Sequence, residues 1–281
     1  MSYKLICLDL DGTLLTSQHT ISEANLAVLR ALEDQGIRIA IVSGRSGYDA
    51  KHHARTISNK TFYIGSNGAI VGNVATGEII AETNISKGNL RKIVSYARET
   101  RIKPIVFTKN ETIIHGPRDY FMHLYLNRKH KTKMNAYLRF VPSHRKMKCL
   151  IAHEDTGIQK VVFFITNKYK ADQIEKELKA QDDFEVARTS LICFEVTEKG
   201  MNKSDGIRRL IEHLNIKKEE VMAFGDSEND YAMLSYVGYG VAMGNAPNRI
   251  KAVADKITDT NDQDGVANEL KNIFSDISYS S

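Results

Sequence analysis

Two aspartates near the start of the chain, Asp9 and Asp11, have the residue type and the spacing to do chemistry together. They follow the apolar run Leu5-Ile6-Cys7-Leu8, which predicts a buried strand. Side chains alternate along a strand, so residues i and i+2 start on the same face. Gly12 then allows a sharp turn. Two carboxylates at the end of a strand need a compensating cation or a shared proton, although Asp-x-Asp-Gly is also typical of a solvated turn.

Three later stretches place anion-binding or metal-binding groups close to the ends of predicted strands. Ser43-Gly44-Arg45 follows the strand 37–42, and Asp226 with Asn229 follows the strand 221–224. Lys203 opens a helix after a turn that follows the strand 192–196. If these strands are parallel in one sheet, their carboxyl ends meet at one edge. Taken singly, Ser43 could be only a helix cap and Lys203 only a solvated side chain.

Together these groups favour chemistry on a phosphoryl group. Carboxylate and amide oxygens suit Mg²⁺. A hydroxyl and a lysine beside backbone N–H groups suit a phosphate. A carboxylate can attack phosphorus and form an aspartyl-phosphate. We therefore expect Asp9 to be the nucleophile and Asp11 to be the general acid and base.

The elements that must position these residues alternate as strand, helix and strand at both ends of the chain. Such βαβ units form parallel sheets and indicate an α/β fold. The middle of the chain has a different texture, with strand pairs and two amphipathic helices, and it indicates a separate α+β module. Residues 69–83 predict a hairpin. Residues 117–148 give no clear pattern.

The charge is distributed unevenly along the 281 residues, whose formal net charge is +5. Residues 84–190 hold 22 Lys and Arg against 11 Asp and Glu, whereas the remainder holds 17 against 23. The densest basic stretches are 128–133 and 144–148. This basic segment could bind nucleic acid, cover an anionic substrate, or be a merely solvated surface.

Composition gives further limits on compartment and cofactor. No run of about 18 apolar residues predicts a membrane span, and the first residues do not have the pattern of a signal peptide. Cys7, Cys149 and Cys193 are far apart in the sequence and predict buried free thiols, so we expect a cytoplasmic protein. No Cys/His spacing suggests zinc, and we expect the scattered histidines to lie on the surface.

The ordered set of motifs resembles haloacid dehalogenase-like hydrolases. Further stretches are similar to the Cof-type branch of that superfamily, the Mg²⁺-dependent sugar-phosphate phosphatases. The resemblance covers both outer segments and is specific as a set, although each motif alone is weak. The four general motifs are Asp9-Leu10-Asp11-Gly12-Thr13, Ser43-Gly44-Arg45, Lys203 and Gly225-Asp226-Ser227-Glu228-Asn229-Asp230, and the Cof-type stretches are Ser66-Asn67-Gly68-Ala69, Gly240-Val241-Ala242-Met243-Gly244-Asn245-Ala246 and Asn261-Asp262-Gln263-Asp264-Gly265-Val266-Ala267.

The resemblance implies a Rossmann-like parallel-sheet core, residues 1–83 and 191–281, with an inserted cap domain, residues 84–190. It implies that Mg²⁺ is held by Asp9, Asp226 and the backbone carbonyl of Asp11. It also implies that Asp11 protonates the leaving oxygen and then activates water. By the same match Ser43, Gly44 and Lys203 bind the substrate, Asn229 supports either the substrate phosphate or the metal, and Asp230 orients its neighbours.

The sequence thus predicts a phosphoric monoester hydrolase that acts on small phosphomonoesters such as sugar phosphates. The expected partner is a small phosphorylated substrate, with no nucleic acid and no membrane. A phosphomutase of the same fold is the nearest alternative, and a nucleic-acid-binding protein or a non-catalytic scaffold are alternatives of other classes. The identity of the substrate and the oligomeric state stay open.

Overall fold

The computed structural model describes residues 3–108, 111–117, 120–121, 138–143, 145–147, 149, 157–165, 167–191 and 193–277. The first strands and helices in chain order are β1 (Leu5–Leu8), α1 (Glu23–Asp34), β2 (Arg38–Val42), α2 (Gly47–Ile57), β3 (Phe62–Gly65), β4 (Ile70–Asn73), β5 (Ile79–Glu82), α3 (Lys87–Glu99), β6 (Pro104–Thr108), β7 (Thr112–His115) and β8 (Leu138–Val141). They are followed by β9 (Ile158–Phe164), α4 (Lys168–Ala180), β10 (Phe184–Ser190), β11 (Cys193–Glu198), α5 (Lys203–Leu214), β12 (Val221–Gly225), α6 (Tyr231–Tyr236), β13 (Tyr239–Ala242), α7 (Asn248–Lys251), β14 (Lys256–Ile257) and α8 (Gly265–Ile273).

The chain divides into two compact units. The first consists of Met1–Glu82 and Asn202–Ser281, and the second of Thr83–Met201. The second unit is therefore an insertion in the sequence of the first. No helix in the described part of the chain combines the length and the apolar character that a membrane span requires.

The first unit is built on an eight-stranded sheet with the order β14-β13-β12-β1-β2-β3-β4-β5. The strands from β14 to β3 pair in parallel, and β4 and β5 form the predicted antiparallel hairpin at one edge. Both faces of β1 are buried: Ile6 and Leu8 pack with residues of α1, α2 and α8, whereas Leu5 and Cys7 pack with residues of α5 and α6. This two-sided burial explains the unbroken apolar run of β1.

The second unit has a six-stranded sheet in its described residues, with the order β10-β11-β9-β6-β7-β8. All neighbours in it are antiparallel except β7 and β8. Helices α3 and α4 bury Ile93, Ala97, Ile174 and Leu178 against one face of this sheet. Ser86 caps α3 as the sequence predicts, because its side chain accepts from the Asn89 N–H. The α/β fold with an inserted α+β domain is confirmed.

One boundary differs from the prediction. Strand β11 pairs antiparallel with β9 and β10, so it belongs to the second unit, and the chain returns to the first unit at Asn202 rather than at 191. The strand before Lys203 is consequently not part of the parallel sheet, contrary to the prediction. Its apolar residues alternate in their packing, since Phe194 and Val196 face α3 and α4 while Cys193 lies on the other face. That alternation is typical of an antiparallel strand.

Two predictions about exposure have mixed outcomes. Cys7 and Cys193 are buried, but Cys149 is exposed, so the prediction that it is buried was wrong. The basic stretch 128–133 lies outside the described residues, and the stretch 144–148 is described only at 145–147. Most of the segment 117–148, which gave no clear pattern, also lies outside the described residues.

Candidate active site

The carboxyl ends of β1, β2 and β12 lie side by side, because β1 pairs in parallel with both of the other strands. Asp9, Ser43 and Asp226 each stand at or just beyond the end of one of these strands. Lys203 reaches the same place from the first residue of α5, and its side chain is fully buried. The structure thus brings together one residue from each of the four motifs.

Lys203 joins two carboxylates at the centre of the site. Its Nζ donates to Asp9 Oδ1 at 2.6 Å and to Asp230 Oδ1 at 2.6 Å. Burial alone would lower the pKa of Lys203, but the charges and hydrogen bonds of Asp230 and Asp9 outweigh it and raise the pKa. The lysine is therefore a fixed positive charge. A lysine at a helix N-terminus is electrostatically unfavourable, and the two carboxylates offset this.

Asp230 holds the loop that carries Asp226. Its Oδ2 accepts from the backbone N–H of Asp226 at 3.0 Å and from that of Ser227 at 2.9 Å. With Oδ1 bound to Lys203, both oxygens of this buried carboxylate are engaged. This is the arrangement that an orienting residue requires.

Gly12 and Thr13 also lie against Asp226, a contact that the motifs alone do not predict. Thr13 Oγ1 donates to Asp226 Oδ1 at 2.8 Å. Gly12 has a φ of 82°, and a Cβ at this position would lie 2.4 Å from Asp226 Oδ2. Gly12 is therefore required both by its left-handed backbone and by the close approach of a carboxylate.

Asp11 is paired with Arg45. The Arg45 Nε donates to Asp11 Oδ2 at 2.7 Å and its Nη2 donates to Asp11 Oδ1 at 2.5 Å. Burial raises the pKa of Asp11, but the hydrogen bonds and the charge of Arg45 outweigh it and leave the pKa below its usual value. His19 lies farther away, with Nδ1 4.0 Å from Asp11 Oδ1. Arg45 directly follows Ser43-Gly44, and this adjacency is the signal from which its role could have been found.

His53 packs behind Arg45 rather than lying free on the surface as predicted. Its Nε2 is 3.2 Å from Arg45 Nη1. Burial, together with the charge of Arg45, lowers the pKa of His53 to about 4. A neutral imidazole can accept a hydrogen bond from the guanidinium, so Arg45 is held between Asp11 and His53.

The remaining predicted residues lie in the loops that surround Asp9. Ser43 is buried, and its Oγ accepts from the Arg45 N–H at 3.1 Å. Gly44 lies in the turn between β2 and α2. Asn229 Nδ2 donates to Asn67 Oδ1 at 3.3 Å, and its Oδ1 accepts from Ser227 Oγ. The hydrogen bond of the Ser43 hydroxyl thus lies within its own turn, and Asn229 links its own loop to Asn67.

The donor set fits a hard divalent cation. One carboxylate oxygen each from Asp9, Asp226 and Asp230 lie within 4.8 Å of one another. Burial raises the pKa of Asp9, which Lys203 offsets only in part, and burial together with Asp230 raises the pKa of Asp226 to about 6. A cation would supply the missing positive charge. Because both oxygens of Asp230 are already bound, Asp9 and Asp226 are the better candidates for ligands, and carboxylate oxygens are the ligands that Mg²⁺ prefers.

Comparisons with known proteins show the family to which the chain belongs. The family model described as haloacid dehalogenase-like hydrolase matches residues 6–270. Phosphatase YwpJ of Bacillus subtilis (strain 168) is 30% identical over 287 residues, covering 96% of this chain and 100% of the relative. The 5-amino-6-(5-phospho-D-ribitylamino)uracil phosphatase YcsE of the same organism is 29% identical, covering 95% of this chain and 94% of the relative.

Solved structures give the same result. A haloacid dehalogenase-like hydrolase from B. subtilis superposes with a TM-score of 0.86 at 29% identity, covering 96% of this chain and 100% of the other. The subclass IIB sugar phosphatase BT4131 superposes with a TM-score of 0.79 at 25% identity, covering 96% of this chain and 98% of the other. The resemblance stated from the motifs is confirmed, and the chain belongs to the haloacid dehalogenase-like hydrolases.

Proposed function

We propose that this enzyme is a Mg²⁺-dependent phosphatase that hydrolyses small phosphomonoesters, such as sugar phosphates, through an aspartyl-phosphate on Asp9. The observation that carries the proposal is the position of Lys203, whose buried Nζ bridges Asp9 and Asp230 beside Asp226. This arrangement puts a buried carboxylate next to a permanent cation, at a place where further positive charge is needed. It suits an attack on a phosphoryl group, whose oxygens need the same charge.

In the first half of the reaction, a carboxylate oxygen of Asp9 attacks phosphorus and the bond between phosphorus and the ester oxygen breaks. Asp11, in its protonated form, gives its proton to the departing oxygen. The products of this half are the free alcohol, an aspartyl-phosphate on Asp9 and an ionised Asp11. The ionised state is the one that Arg45 stabilises in the structure.

In the second half, Asp11 takes a proton from a water molecule, whose oxygen attacks the phosphorus of the aspartyl-phosphate. The bond between phosphorus and Asp9 breaks, so orthophosphate leaves and the Asp9 carboxylate is restored. Asp11 is protonated again and ready for the next substrate. One residue thus serves as acid and then as base, which microscopic reversibility permits in a two-step transfer.

Asp9 and Asp226 would hold Mg²⁺ with carboxylate oxygens, and Asp11 would add its backbone carbonyl. When bound, Mg²⁺ supplies positive charge to the phosphoryl oxygens and allows Asp9 to stay ionised. Ser43, Gly44, Lys203 and Asn229 are the proposed groups for the phosphoryl oxygens. Lys203 has the strongest support, because it is already placed at Asp9.

The relatives narrow the substrate class without identifying the substrate. One is named for a phosphorylated ribitylamino-uracil and another for sugar phosphates, and both names describe small phosphomonoesters. We propose the same class for this enzyme, and a cytoplasmic location where such metabolites occur. The proposed location also rests on the buried thiols of Cys7 and Cys193.

Release of orthophosphate from a panel of sugar, nucleotide and cofactor phosphates, in the presence of Mg²⁺, tests the proposal directly. We expect release from several sugar phosphates without any added bisphosphate. Transfer of the phosphoryl group to another sugar hydroxyl, with no net release, would instead identify a phosphomutase.

Removal of the metal should abolish the reaction. Treatment with EDTA is expected to stop phosphate release, and excess Mg²⁺ is expected to restore it, because the proposed site holds surplus negative charge without the ion. Ca²⁺ at the same concentration serves as the control for ionic strength and charge, since its larger size and flexible coordination differ from those of Mg²⁺. Full activity after EDTA would contradict the metal requirement.

A further inference from the structure

Parts of two Cof-type stretches, Gly244-Asn245-Ala246 and Asn261-Asp262, lie outside the set of residues assigned to the candidate active site. They form the connections after β13 and before α8, at the end of the sheet where Asp9 and Asp226 lie. The side chains of Asn245 and Asp262 are exposed and that of Asn261 is half-buried. Exposed polar residues of this kind usually contribute little to stability, so core packing does not explain them.

All three side chains bind the loop that carries Asp11. Asn245 Nδ2 donates to the Gly12 carbonyl at 2.8 Å, and Asn261 Nδ2 donates to the Leu15 carbonyl at 2.8 Å. Asp262 Oδ1 accepts from the Ser17 N–H at 2.7 Å. The partners are separated by 233 to 246 residues in the sequence.

The side chain of Asn245 also contacts the backbone of Asn261. Asn245 Oδ1 accepts from the Asn261 N–H at 3.2 Å, so its amide group is oriented on both sides. We call Asn245, Asn261 and Asp262 the backbone clamp, and residues 11–17 the catalytic loop. Every contact between them uses a backbone group of the catalytic loop, so the clamp fixes where the loop lies and is indifferent to most of its side chains.

We propose that the backbone clamp consists of positioning residues that hold Asp11 at the distance and angle needed to protonate the leaving group. The proposal rests on the function proposed above for Asp11. The clamp contacts Gly12, the residue next to Asp11, and the Gly12 backbone has a left-handed φ of 82°. A glycine in such a turn has little intrinsic preference for one conformation. External hydrogen bonds are therefore an effective way to fix the backbone beside Asp11.

The catalytic loop has a further side-chain contact outside the clamp, the hydrogen bond from Thr13 to Asp226 at 2.8 Å. Without the clamp, this bond and Arg45 would remain to orient Asp11, together with backbone hydrogen bonds within the turn, such as those from the Leu14 N–H to the Asp9 carbonyl and from the Leu15 N–H to the Leu10 carbonyl. A displacement of about 1 Å in a catalytic group can cost about 100-fold in rate. The clamp should therefore affect the step that needs Asp11 as an acid more than it affects the fold.

Leaving-group dependence measures this effect. Phenyl phosphate releases a basic phenolate that needs protonation, whereas p-nitrophenyl phosphate releases a stable anion that does not. The value of kcat/KM covers the steps up to departure of the alcohol, so it excludes the later hydrolysis of the aspartyl-phosphate. Asn245→Ala and Asn261→Ala are expected to lower kcat/KM about 10-fold to 100-fold for phenyl phosphate and less than about 3-fold for p-nitrophenyl phosphate.

Asn268→Ala is the matched control. Asn268 is another half-buried asparagine of the same region, and its Nδ2 binds Asp259 Oδ2 at 2.8 Å and the Gln263 carbonyl at 3.0 Å without touching the catalytic loop. It should leave the ratio of the two kcat/KM values unchanged. Thermal unfolding of each variant, followed by circular dichroism, separates a local shift from loss of the fold.

Asp11→Asn provides the reference that separates this inference from the proposed function. If Asp11→Asn shows no selective loss with phenyl phosphate, the role of Asp11 is wrong. If Asp11→Asn shows that loss and the clamp variants do not, the clamp proposal alone is overturned. In the double variant of Asn245→Ala with Asp11→Asn, the Asn245→Ala substitution should lower kcat/KM for phenyl phosphate by less than about a further 2-fold. The reason is that the effects of two residues that act through one group are not additive. Full additivity would overturn the proposal even if the single variants lose activity.

Discussion

Asp9 and Asp11 are two residues apart, yet they lie in opposite environments. Asp9 is buried, with 4% of its surface exposed, and its cationic partner Lys203 is fully enclosed. The side chain of Asp11 is 51% exposed, and its partner Arg45 is 17% exposed. The difference shows that one short stretch can hold two carboxylates in environments that suit the two tasks proposed for them. A buried carboxylate beside a fixed charge suits a nucleophile, whereas an exposed one can exchange protons with substrate and water.

The two ion pairs should also differ in what they contribute to the fold. The Lys203 network is buried, and removing one partner of such a network leaves an unpaired charge in the interior. The pair between Arg45 and Asp11 is partly hydrated, and pairs of that kind contribute about 0–1 kcal/mol. We therefore expect Lys203 to matter for stability and catalysis, and Arg45 to matter mainly for catalysis.

The largest expected effect distinguishes the two carboxylates. Asp9→Asn should lower the turnover of p-nitrophenyl phosphate by about 10⁴-fold or more, because no nucleophile remains. Asp11→Asn should lower it by only about 10²–10⁴-fold, since with this substrate it removes only the base proposed to activate water for hydrolysis of the aspartyl-phosphate. Both variants are measured by release of p-nitrophenolate, with circular dichroism as a control for folding. Equal losses would mean that the two residues do not have separate roles.

Replacement of the buried Lys203 should have the next largest effect. Lys203→Met keeps much of the side-chain volume but leaves Asp9 and Asp230 without their partner. We expect kcat/KM to fall by about 10²–10³-fold and the free energy of unfolding to fall by about 3–5 kcal/mol. Denaturation in urea gives the second value. Lys199→Met, at an exposed lysine just before the first unit resumes, controls for loss of charge. If Lys203→Met were as stable as the wild type, the stabilising role of the buried Lys203 network would be contradicted.

Replacement of Arg45 should separate catalysis from stability. Arg45→Gln is expected to lower kcat/KM about 10-fold or more, because the Asp11 carboxylate loses its two hydrogen bonds. The free energy of unfolding should change by less than about 1 kcal/mol. Arg55→Gln, at an exposed arginine of the same helix region, is the matched control. A loss of stability as large as that of Lys203→Met would remove the contrast between the two pairs.

The smallest effect concerns pH and the imidazole behind Arg45. The pKa of His53 is lowered to about 4 in the folded protein, whereas a histidine in an unfolded chain has a pKa of about 6.5. Below about pH 6.5 the imidazole therefore binds a proton more readily in the unfolded chain than in the folded protein. His53 therefore favours the folded state fully above pH 6.5, and this contribution is lost as the pH falls toward 4. His53→Gln keeps an acceptor for Arg45 and cannot titrate. Urea denaturation at pH 7 and at pH 4.5 gives the loss of unfolding free energy between the two pH values, and this loss should be larger in the wild type than in His53→Gln by on the order of 1 kcal/mol. Identical losses in the two proteins would contradict the lowered pKa of His53.

Much of the first unit could be predicted from the sequence, because local patterns and the global arrangement agree there. Residues 5–8 form a short apolar run with carboxylates at its end, and such a run has few alternatives to a buried parallel strand. The residues of all four motifs, including Lys203, lie at one edge of the sheet as expected. The burial of Lys203 could not be derived, since its partners Asp9 and Asp230 lie 194 and 27 residues away in the sequence.

The errors came from pairings that depend on tertiary contacts. The strand before Lys203 has the right composition for either sheet, and only its partners β9 and β10 decide that it belongs to the second unit. Arg45 belongs to the motif Ser43-Gly44-Arg45, but its contact with Asp11, 34 residues earlier in the chain, depends on the fold. The exposure of Cys149 shows that an apolar neighbourhood in the sequence does not by itself specify burial.

The double pairing of β1 has a consequence for the way the protein is made. One edge of β1 can bind β2 as soon as both have left the ribosome, but the other edge must wait for β12. Residues 83–201 are synthesised in between, which at about 5–20 residues per second takes on the order of ten seconds. During that interval the nascent chain carries an unpaired apolar strand edge, a feature that favours aggregation. The position of the insertion therefore sets a delay, in which assembly of the active site has to wait for the last third of the chain.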